Sequence, residues 1–253
     1  MIALLERFFI DIGSFSFFAL RFFREIFNPP FEFKELLKQC YNIGNRSLLL
    51  VSLTGFIIGL VFTLQSRPTL MEFGAVSWLP AMVTISIVRE IGPIITALIC
   101  AGKIGSGIGA ELGSMRVTEQ IDAMEVSGTN PYKYLVVTRI VATTLMLPIL
   151  VIYGDAIAIF GSYIVESVKG DVSFLMYFNL AFKKLSFTDI LPATIKSFFF
   201  GFAIALVGCY QGYNCKKGTS GVGMAANTAV VHASILVFLI DFVVVLITNI
   251  FIH

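Results

Sequence analysis

Charged residues are scarce in this chain. Lys, Arg, Asp and Glu make up 13% of its 253 residues, about half the share of roughly 25% found in an average soluble domain. Hydrophobic residues make up 57% of the chain, which is typical of a protein that lies mostly in a bilayer. The formal net charge of +2 is too small for the basic surface that a nucleic-acid-binding protein needs. The composition therefore excludes an ordinary soluble domain, and it excludes nucleic acid as a partner.

Metal-binding and catalytic patterns are also missing from the sequence. The four cysteines show no C-x-x-C spacing, and Cys100 and Cys209 fall inside apolar runs, where cysteine behaves as a small buried hydrophobe. The two histidines are His232, in another apolar run, and His253. No nucleophile has a base beside it. We therefore expect no structural metal site and no enzyme activity in this chain.

The sequence contains no complete nucleotide-binding loop. The nearest match to a Walker A loop, Ala97 to Ile104, has alanine in place of the first glycine and isoleucine in place of the hydroxyl residue that holds magnesium. The glycines from Ile104 to Gly109 follow an apolar run rather than a strand, so they match a dinucleotide-binding motif only weakly. We expect no cofactor in this chain. If it does energised work, a partner or an ion gradient supplies the energy.

The first 46 residues are predicted to form an N-terminal domain of amphipathic interfacial and connecting helices. From Met1 to Phe27 the polar residues fall on one narrow helical face and most of the phenylalanines lie elsewhere, which is typical of a helix in a membrane interface. The Asn-Pro-Pro sequence at positions 28–30 is expected to end this helix. The polar residues are Arg7, Asp11, Ser14, Arg21 and Glu25.

Five later segments are each apolar and long enough to cross a membrane, which takes about 20 residues. The predicted fold is therefore all-α and integral to the membrane, with the spans in a second domain over residues 47–253. The third span is long enough to tilt or to hold a break near Pro148 or Gly154. The connection over residues 166–189 carries apolar residues at helical spacing, so we expect it to lie against the membrane surface. The spans cover about residues 47–64, 78–101, 134–165, 190–213 and 228–252.

The distribution of Lys and Arg predicts the orientation of these spans, because cytoplasmic segments are enriched in both residues. With a cytoplasmic N-terminus, the inner segments hold eleven of them and the outer segments hold four. We therefore predict a cytoplasmic N-terminus and a C-terminus on the outer side. The inner residues are Arg7, Arg21, Arg24, Lys34, Lys38, Arg46, Lys103, Arg116, Lys133, Lys216 and Lys217, and the outer ones are Arg67, Lys169, Lys183 and Lys184.

Arg89 and Glu90 lie near the middle of the second span, where each ionised side chain costs a few kcal/mol. Neighbouring residues on a helix point about 100° apart, so each of the two needs a partner elsewhere. Pro93 is expected to free the carbonyl group of Arg89 and to kink the helix there. The pair either joins spans through Lys196, Asp241 or Arg139, or it lines a polar cavity that contacts a substrate headgroup.

Three more charged residues within the spans allow more than one interpretation. Lys196, a turn after Pro192, either snorkels to the interface or is held inside. Asp155 and Asp241 are neutral, paired or proton-carrying. Neither has a histidine or a second acid beside it at helical spacing, which disfavours a proton relay.

The cytoplasmic segment between the second and third spans is the least apolar of the inner connections. From Ala110 to Val126, apolar residues at positions 117, 121 and 124 share one face, which predicts one short amphipathic helix. Gly128 and Pro131 form a plausible stop. The segment is either a plain solvated loop or a rigid helix on which a cytoplasmic partner pushes.

Three separated blocks of the sequence resemble the MlaE (YrbE) family of ABC-transporter permeases, the membrane subunits of MCE lipid-transport systems. The likeness runs from about Tyr41 to the C-terminus. The first forty residues share only the expected type of element with the family, an interfacial helix. The blocks are I-V-R-E-I-G-P at positions 87–93, A-G-K-I-G-S-G-I-G-A-E-L-G-S-M-R-V-T-E-Q-I-D-A-M-E-V-S-G-T-N-P at positions 101–131, and G-V-G-M-A-A-N-T-A-V-V-H-A-S at positions 221–234.

This resemblance implies a permease homodimer in the bacterial inner membrane. It implies a cytoplasmic ABC ATPase that carries ATP and magnesium, a periplasmic MCE-domain protein, and phospholipid as the substrate. Transport between the inner membrane and the MCE carrier would then maintain outer-membrane lipid asymmetry. A cytoplasmic STAS-domain protein is a further partner that the resemblance leaves open.

The resemblance also assigns roles to particular residues. Arg89 and Glu90 match the charged pair that lines the lipid pocket of the family, and Lys196 matches a basic residue near the same path. Phe73 is also implied to contact the substrate; it stands where a relative carries tyrosine, and it lacks the hydroxyl group that could form a hydrogen bond there. Lys103 stands where arginine is common, which keeps the charge but not the bidentate geometry. The residues implied to contact the ATPase, on a coupling helix, are Glu111, Arg116, Glu119, Asp122 and Glu125.

Two other functions remain open at this point. One is an ion-coupled transporter that works alone through Glu90, Asp155 and Asp241. The other is a membrane scaffold that transports nothing.

Overall fold

The computed structural model describes residues 2–29, 31–170, 172–216 and 218–252, without the side chains of residues 2–9, 11, 251 and 252. Predictions about the side chains of Arg7 and Asp11, and about Lys217 and His253, therefore lie outside the described residues. The described ranges hold ten α-helices and no strand, which confirms the all-α prediction. The helices are α1 (Ile2–Glu25), α2 (Phe33–Glu72), α3 (Leu79–Ser86), α4 (Gly92–Cys100), α5 (Ser106–Val117), α6 (Gln120–Val126), α7 (Thr138–Gly170), α8 (Phe174–Lys183), α9 (Phe187–Tyr213) and α10 (Thr219–Ile252).

Five helical segments are long and apolar enough to cross a membrane, as predicted. Each is longer than its hydrophobic run, because the helices continue past the apolar part at their ends. In the first, α2 continues through Pro68, and in the third, α7 continues through Pro148 without a break. The segments are Phe33–Glu72, Val76–Val117, Tyr132–Gly170, Phe187–Tyr213 and Thr219–Ile250.

The second span is a composite of α3, α4 and α5 joined by two π-helical turns, Ile87–Ile91 and Ala101–Gly105. In the first turn the N–H of Gly92 donates to the carbonyl of Ile87, five residues earlier. The sequence prediction that Pro93 frees the carbonyl of Arg89 assumed an α-helical register, whereas the hydrogen bond just before Pro93 has the π-helical spacing. The proline is thus accommodated by a π-helical turn, a feature that often marks functional sites in helices. Arg89 and Glu90 both lie in it.

Helices α2 and α7 pack closely along their length through small residues. The inward face of α2 repeats every fourth residue, and Ser47, Val51, Gly55, Gly59 and Thr63 are all buried on it. A Cβ atom at Gly55 would lie 2.9 Å from the carbonyl oxygen of Gly154 on α7, and one at Gly59 would overlap the carbonyl oxygen of Ala158. Close backbone approach of this kind is how helices associate in membranes, where lipid removes the hydrophobic driving force.

Helix α10 contributes only a narrow stripe to the interior. Ala225, Ala229, Ala233 and Val237 are buried at intervals of four residues, and they face α5 and α9. A Cβ atom at Gly109 on α5 would lie 3.2 Å from the carbonyl oxygen of Ala225. Most other large apolar side chains of α10 are exposed in a single chain.

The two ends of the bundle are covered differently. At one end Phe18 and Phe22 of α1 are buried, and the hydroxyl of Tyr132 donates a hydrogen bond of 2.6 Å to the carbonyl of Phe18. At the other end α8 packs on α3 and α7, where the buried hydroxyl of Tyr177 bonds to that of Ser162 at 2.7 Å. α8 lies within the connection that the sequence predicted to form a surface helix.

Candidate functional site

Lys196 lies at the centre of a charged cluster where α9, α10 and the first π-helical turn meet. Its ammonium group donates to a carboxylate oxygen of Glu90 at 2.6 Å and to one of Asp241 at 3.0 Å. Its side chain is 2% exposed, so the snorkelling interpretation is wrong. Position 196 lies on the inward face of α9, because it follows the buried Ala193 by three residues and precedes the buried Phe200 by four. Two carboxylates therefore compensate one buried cation.

Asp241 lies four residues after Val237 on α10, and so it falls on the same inward face as the buried residues of that helix. Its carboxylate is 13% exposed and pairs with Lys196, so the paired interpretation of this acid is confirmed. Such pairing is the usual state of an ionisable group inside a membrane.

Arg89 pairs with a different acid from those that hold Lys196, as expected for the neighbour of Glu90 on a helix. Its side chain is 46% exposed, and its Nε atom lies 3.5 Å from a carboxylate oxygen of Asp189. Asp189 is held in place at the start of α9, because it accepts a bond of 3.1 Å from the backbone N–H of Ser186 in a capping box. The long contact leaves the guanidinium with donors for another anion.

A small cavity lies between these charges. Its volume is about 20 Å³, roughly the room that one water molecule needs. The single chain thus offers charged groups at a shallow recess rather than an enclosed lipid pocket. Its walls are Arg89, Glu90, Thr188, Pro192, Ala193, Lys196, Val244, Val245 and Thr248.

Asp155 is a separate buried acid on α7. It is 7% exposed, and its Oδ1 atom has no hydrogen-bond partner among the described residues. The carboxyl group lies against the backbone of Gly92, where any Cβ atom would overlap it. It borders an apolar cavity of about 200 Å³ between α7, α8 and α9.

The acidic segment after the second span is two helices rather than one. The prediction of a single helix from Ala110 to Val126 is wrong, because α5 ends at Val117 and α6 begins at Gln120. Glu119 between them has φ 59°, a left-handed conformation that ends a helix. The break redirects the chain so that Ile121 of α6 is fully buried against the bundle core.

The five predicted contact residues of this segment have different environments. The carboxylate of Glu111 lies 2.8 Å from the guanidinium of Arg139 on α7, which is 3% exposed. Arg139 therefore pairs at this end of the bundle and not with Arg89 or Glu90. Arg116 and Asp122 pair with each other across the break. Glu119 and Glu125 are exposed.

Comparison with known proteins shows which family the chain is similar to. The model of the family "Permease MlaE" matches residues 36–247. A "Probable ABC transporter permease protein" of Rickettsia bellii is 40% identical over 234 residues, which cover 92% of this chain and 90% of that protein. The "Intermembrane phospholipid transport system permease protein MlaE" of Haemophilus influenzae is 35% identical over 212 residues, covering 83% of this chain and 81% of that protein.

The chain belongs to the MlaE permease family. It is therefore a multi-pass membrane protein of the ABC-transporter permease type, and its predicted family membership is confirmed.

Within this MlaE-type permease, the structure brings together some of the predicted site residues and separates others. Glu90 and Lys196 are in contact, and Arg89 borders the same recess. Phe73 follows the last residue of α2 and is 77% exposed, and it is not among the described residues that line the recess. Within one chain, the described structure therefore does not include Phe73 in the recess.

Asp189 is the charged residue of this permease site that sequence reasoning missed. Its signal was the pattern Ser186-x-x-Asp189 ahead of an apolar run, a capping-box arrangement that starts a helix. The pattern predicts the start of α9, but it does not show that Arg89 lies opposite.

Proposed function

We propose that this chain is the permease subunit of an ATP-driven transporter that moves phospholipids between the bacterial inner membrane and a periplasmic MCE-domain carrier. In this role it would maintain outer-membrane lipid asymmetry. The observation that carries the proposal is the buried ammonium of Lys196, held between Glu90 and Asp241 beside the half-exposed Arg89. The family membership and the name of the Haemophilus relative support the same substrate class.

The chemistry of the site suits a phospholipid headgroup. The guanidinium of Arg89 binds the phosphate, since its contact with Asp189 is long and its fork of donors matches phosphate oxygens. Lys196 positions Glu90 and neutralises it from the buried side, so that the carboxylate does not repel the phosphate. Phe73 contributes an apolar contact to the lipid path.

A second copy of the chain completes the site as a homodimer. A recess of about 20 Å³ cannot hold a phospholipid, and only 11% of the most apolar window of α10 is buried in one chain. Two copies of this face enclose a shared cavity, with the apolar residues of α10 as walls for the acyl chains.

The motor of this transporter is a separate cytoplasmic ATPase. The sequence supplies no Walker A loop, so ATP and magnesium belong to the partner. The ATPase contacts the segment of α5 and α6 through Glu111, Arg116, Glu119, Asp122 and Glu125. Ile121 anchors α6 to the bundle core, and the pair of Glu111 with Arg139 ties α5 to α7. Through these contacts, a movement of α5 and α6 caused by the ATPase is transmitted to the membrane spans. The N-terminus and this segment are cytoplasmic, and the C-terminus is periplasmic.

Cross-linking to the ATPase tests this assignment. We replace Glu125 with cysteine, and Glu72 at the other end of the bundle in a matched control, in a chain whose Cys40 and Cys215 are serine. Co-expressed with its ATPase, the Glu125→Cys chain should cross-link to it, and the Glu72→Cys chain should not. The reverse result contradicts the proposed coupling surface. Purification of the same complex shows whether MCE-domain and STAS-domain proteins accompany it.

One observation favours a second candidate, an ion-coupled transporter. Asp155 is a buried carboxyl group without a hydrogen-bond partner on Oδ1 among the described residues, as in a proton-carrying site. If Asp155→Asn abolishes transport driven by a proton gradient in liposomes that hold only this chain, the ion-coupled function is correct.

A further inference from the structure

A second polar cavity lies at the opposite end of the bundle from the Lys196 cluster, between α2 and the start of α5. Its volume is about 340 Å³, large enough for a headgroup-sized ligand. It opens beside α2, a helix whose outer face carries exposed leucines such as Leu49 and Leu53. The lysine and arginine count places this end of the bundle in the cytoplasmic half of the membrane.

The charge in this cavity is not balanced by the chain itself. Arg46 and Lys103 line it, both are exposed, and neither forms an ion pair or a side-chain hydrogen bond with a described residue. Of the described lining residues only Glu111 is acidic, and its carboxylate already faces Arg139 at 2.8 Å. The cavity therefore presents two unpaired cations to a ligand.

A buried hydroxyl group gives a second, independent indication of a ligand. Ser47 lines the cavity and is 1% exposed, and its Oγ atom has no hydrogen-bond partner in the described part of the chain. Buried polar atoms are nearly always hydrogen-bonded, so an unpaired one calls for an explanation. A ligand oxygen in the cavity would accept the proton of this hydroxyl.

Two cations and a hydroxyl donor at one cavity match the chemistry of phosphate. We propose that this cavity binds the phosphate group of a phospholipid from the cytoplasmic leaflet, whose acyl chains lie along the apolar face of α2. Free phosphate shares the headgroup chemistry but makes no use of that face. This inference goes beyond the proposed function, because it adds a headgroup site at the other end of the bundle from Lys196.

Lipid binding to the purified full chain tests this site. We measure binding of dihexanoyl phosphatidylglycerol in detergent by native mass spectrometry, with inorganic phosphate as a separate probe. Arg46→Gln with Lys103→Gln should weaken lipid binding about 10- to 100-fold, as expected when hydrogen bonds to a charged group are lost. Ser47→Ala should weaken it about threefold to tenfold. The matched control is Lys34→Gln with Lys38→Gln, which removes the same charge from the same end of α2 outside the cavity.

The other outcomes are equally decisive. Equal losses in the control and in the Arg46 and Lys103 variant mean unspecific attraction to a basic surface, and they overturn the proposal. Phosphate binding as tight as lipid binding overturns the assignment to a lipid. If the double variant does not fold, Ser47→Ala alone decides, and unchanged binding contradicts the site.

A Lys196→Met chain separates this inference from the proposed function. It should lose transport and keep the binding that depends on Arg46. Loss of that binding in Lys196→Met would place the lipid in the charged cluster and not in this cavity.

Discussion

The ammonium group of Lys196 lies 2.6 Å from a carboxylate oxygen of Glu90, although the two residues belong to different spans and are 106 positions apart. The lysine is almost fully buried, while the glutamate side chain is 41% exposed. The pair therefore ties α9 to the π-helical turn of the second span from the inside. It also presents a carboxylate at the recess.

Replacement of Lys196 by methionine should destabilise the protein and stop transport. It removes the cation and leaves Glu90 and Asp241 near one another without compensation. We expect a loss of about 2–3 kcal/mol in the free energy of unfolding, less than for a fully buried pair because water reaches Glu90. Thermal unfolding in detergent measures it.

Two further variants test the cause of that loss. The triple variant with Glu90→Gln and Asp241→Asn should recover most of the stability but not transport. Lys183→Met, at the exposed end of α8, should change neither. If the triple variant is no more stable than the single one, charge compensation is not what Lys196 provides.

A methyl group at Gly59 should disrupt the packing of α2 on α7. A Cβ atom there would overlap the backbone carbonyl oxygen of Ala158, so the helices must move apart. We expect Gly59→Ala to lower the free energy of unfolding by about 2–3 kcal/mol. Gly13→Ala in α1, where a Cβ atom meets nothing within 4 Å, is the control. Similar melting temperatures for the two variants would contradict the close approach of α2 and α7.

The break between α5 and α6 should depend on the conformation of Glu119. Its φ of 59° is accessible to glycine without strain and is unfavourable for β-branched residues. Glu119→Gly should leave stability unchanged or raise it by up to about 1 kcal/mol, and Glu119→Val should lower it by about 1–2 kcal/mol. Ala123→Gly in α6 should cost about 1 kcal/mol as a helical control. If Glu119→Val is as stable as wild type, α5 and α6 are one continuous helix.

Cys215 offers a test of orientation and of pH dependence together. It lies in the connection between α9 and α10, and burial raises the pKa of its thiol. Because the thiolate is the reactive form, maleimide labelling at pH 7 should be slower than that of a free thiol and should accelerate as the pH rises.

A membrane-impermeant maleimide should label Cys215 in inside-out vesicles of a Cys40→Ser chain and not in intact spheroplasts. Labelling from outside would reverse the predicted orientation.

The number of spans and several inward faces could be predicted from the sequence alone. Hydropathy and length determine how many helices cross the membrane, and both are local properties of the chain. On α10 the buried residues recur at every fourth position, and the same spacing reaches Asp241. The inward position of Asp241 therefore follows from this periodicity.

The partners of the charged residues could not be predicted in the same way. Which acid meets Lys196 depends on which helices are neighbours, and Arg139 was as plausible a partner for Glu90 as Lys196 was. Periodicity likewise predicted one helix where α5 and α6 are separate. Glutamate has no preference for the left-handed conformation of Glu119, so the residue type gave no signal there.

Transport by the reconstituted protein tests the central claim most directly, which is that a separate ATPase drives this phospholipid permease. We place the chain in liposomes with fluorescent phospholipid, with or without its co-expressed ATPase and the soluble carrier, and measure lipid movement and ATP hydrolysis. The account predicts that the chain alone does neither, that the complex does both only with ATP, and that Lys196→Met abolishes lipid movement. Hydrolysis by the isolated chain, or lipid movement driven by a proton gradient without the ATPase, would contradict it.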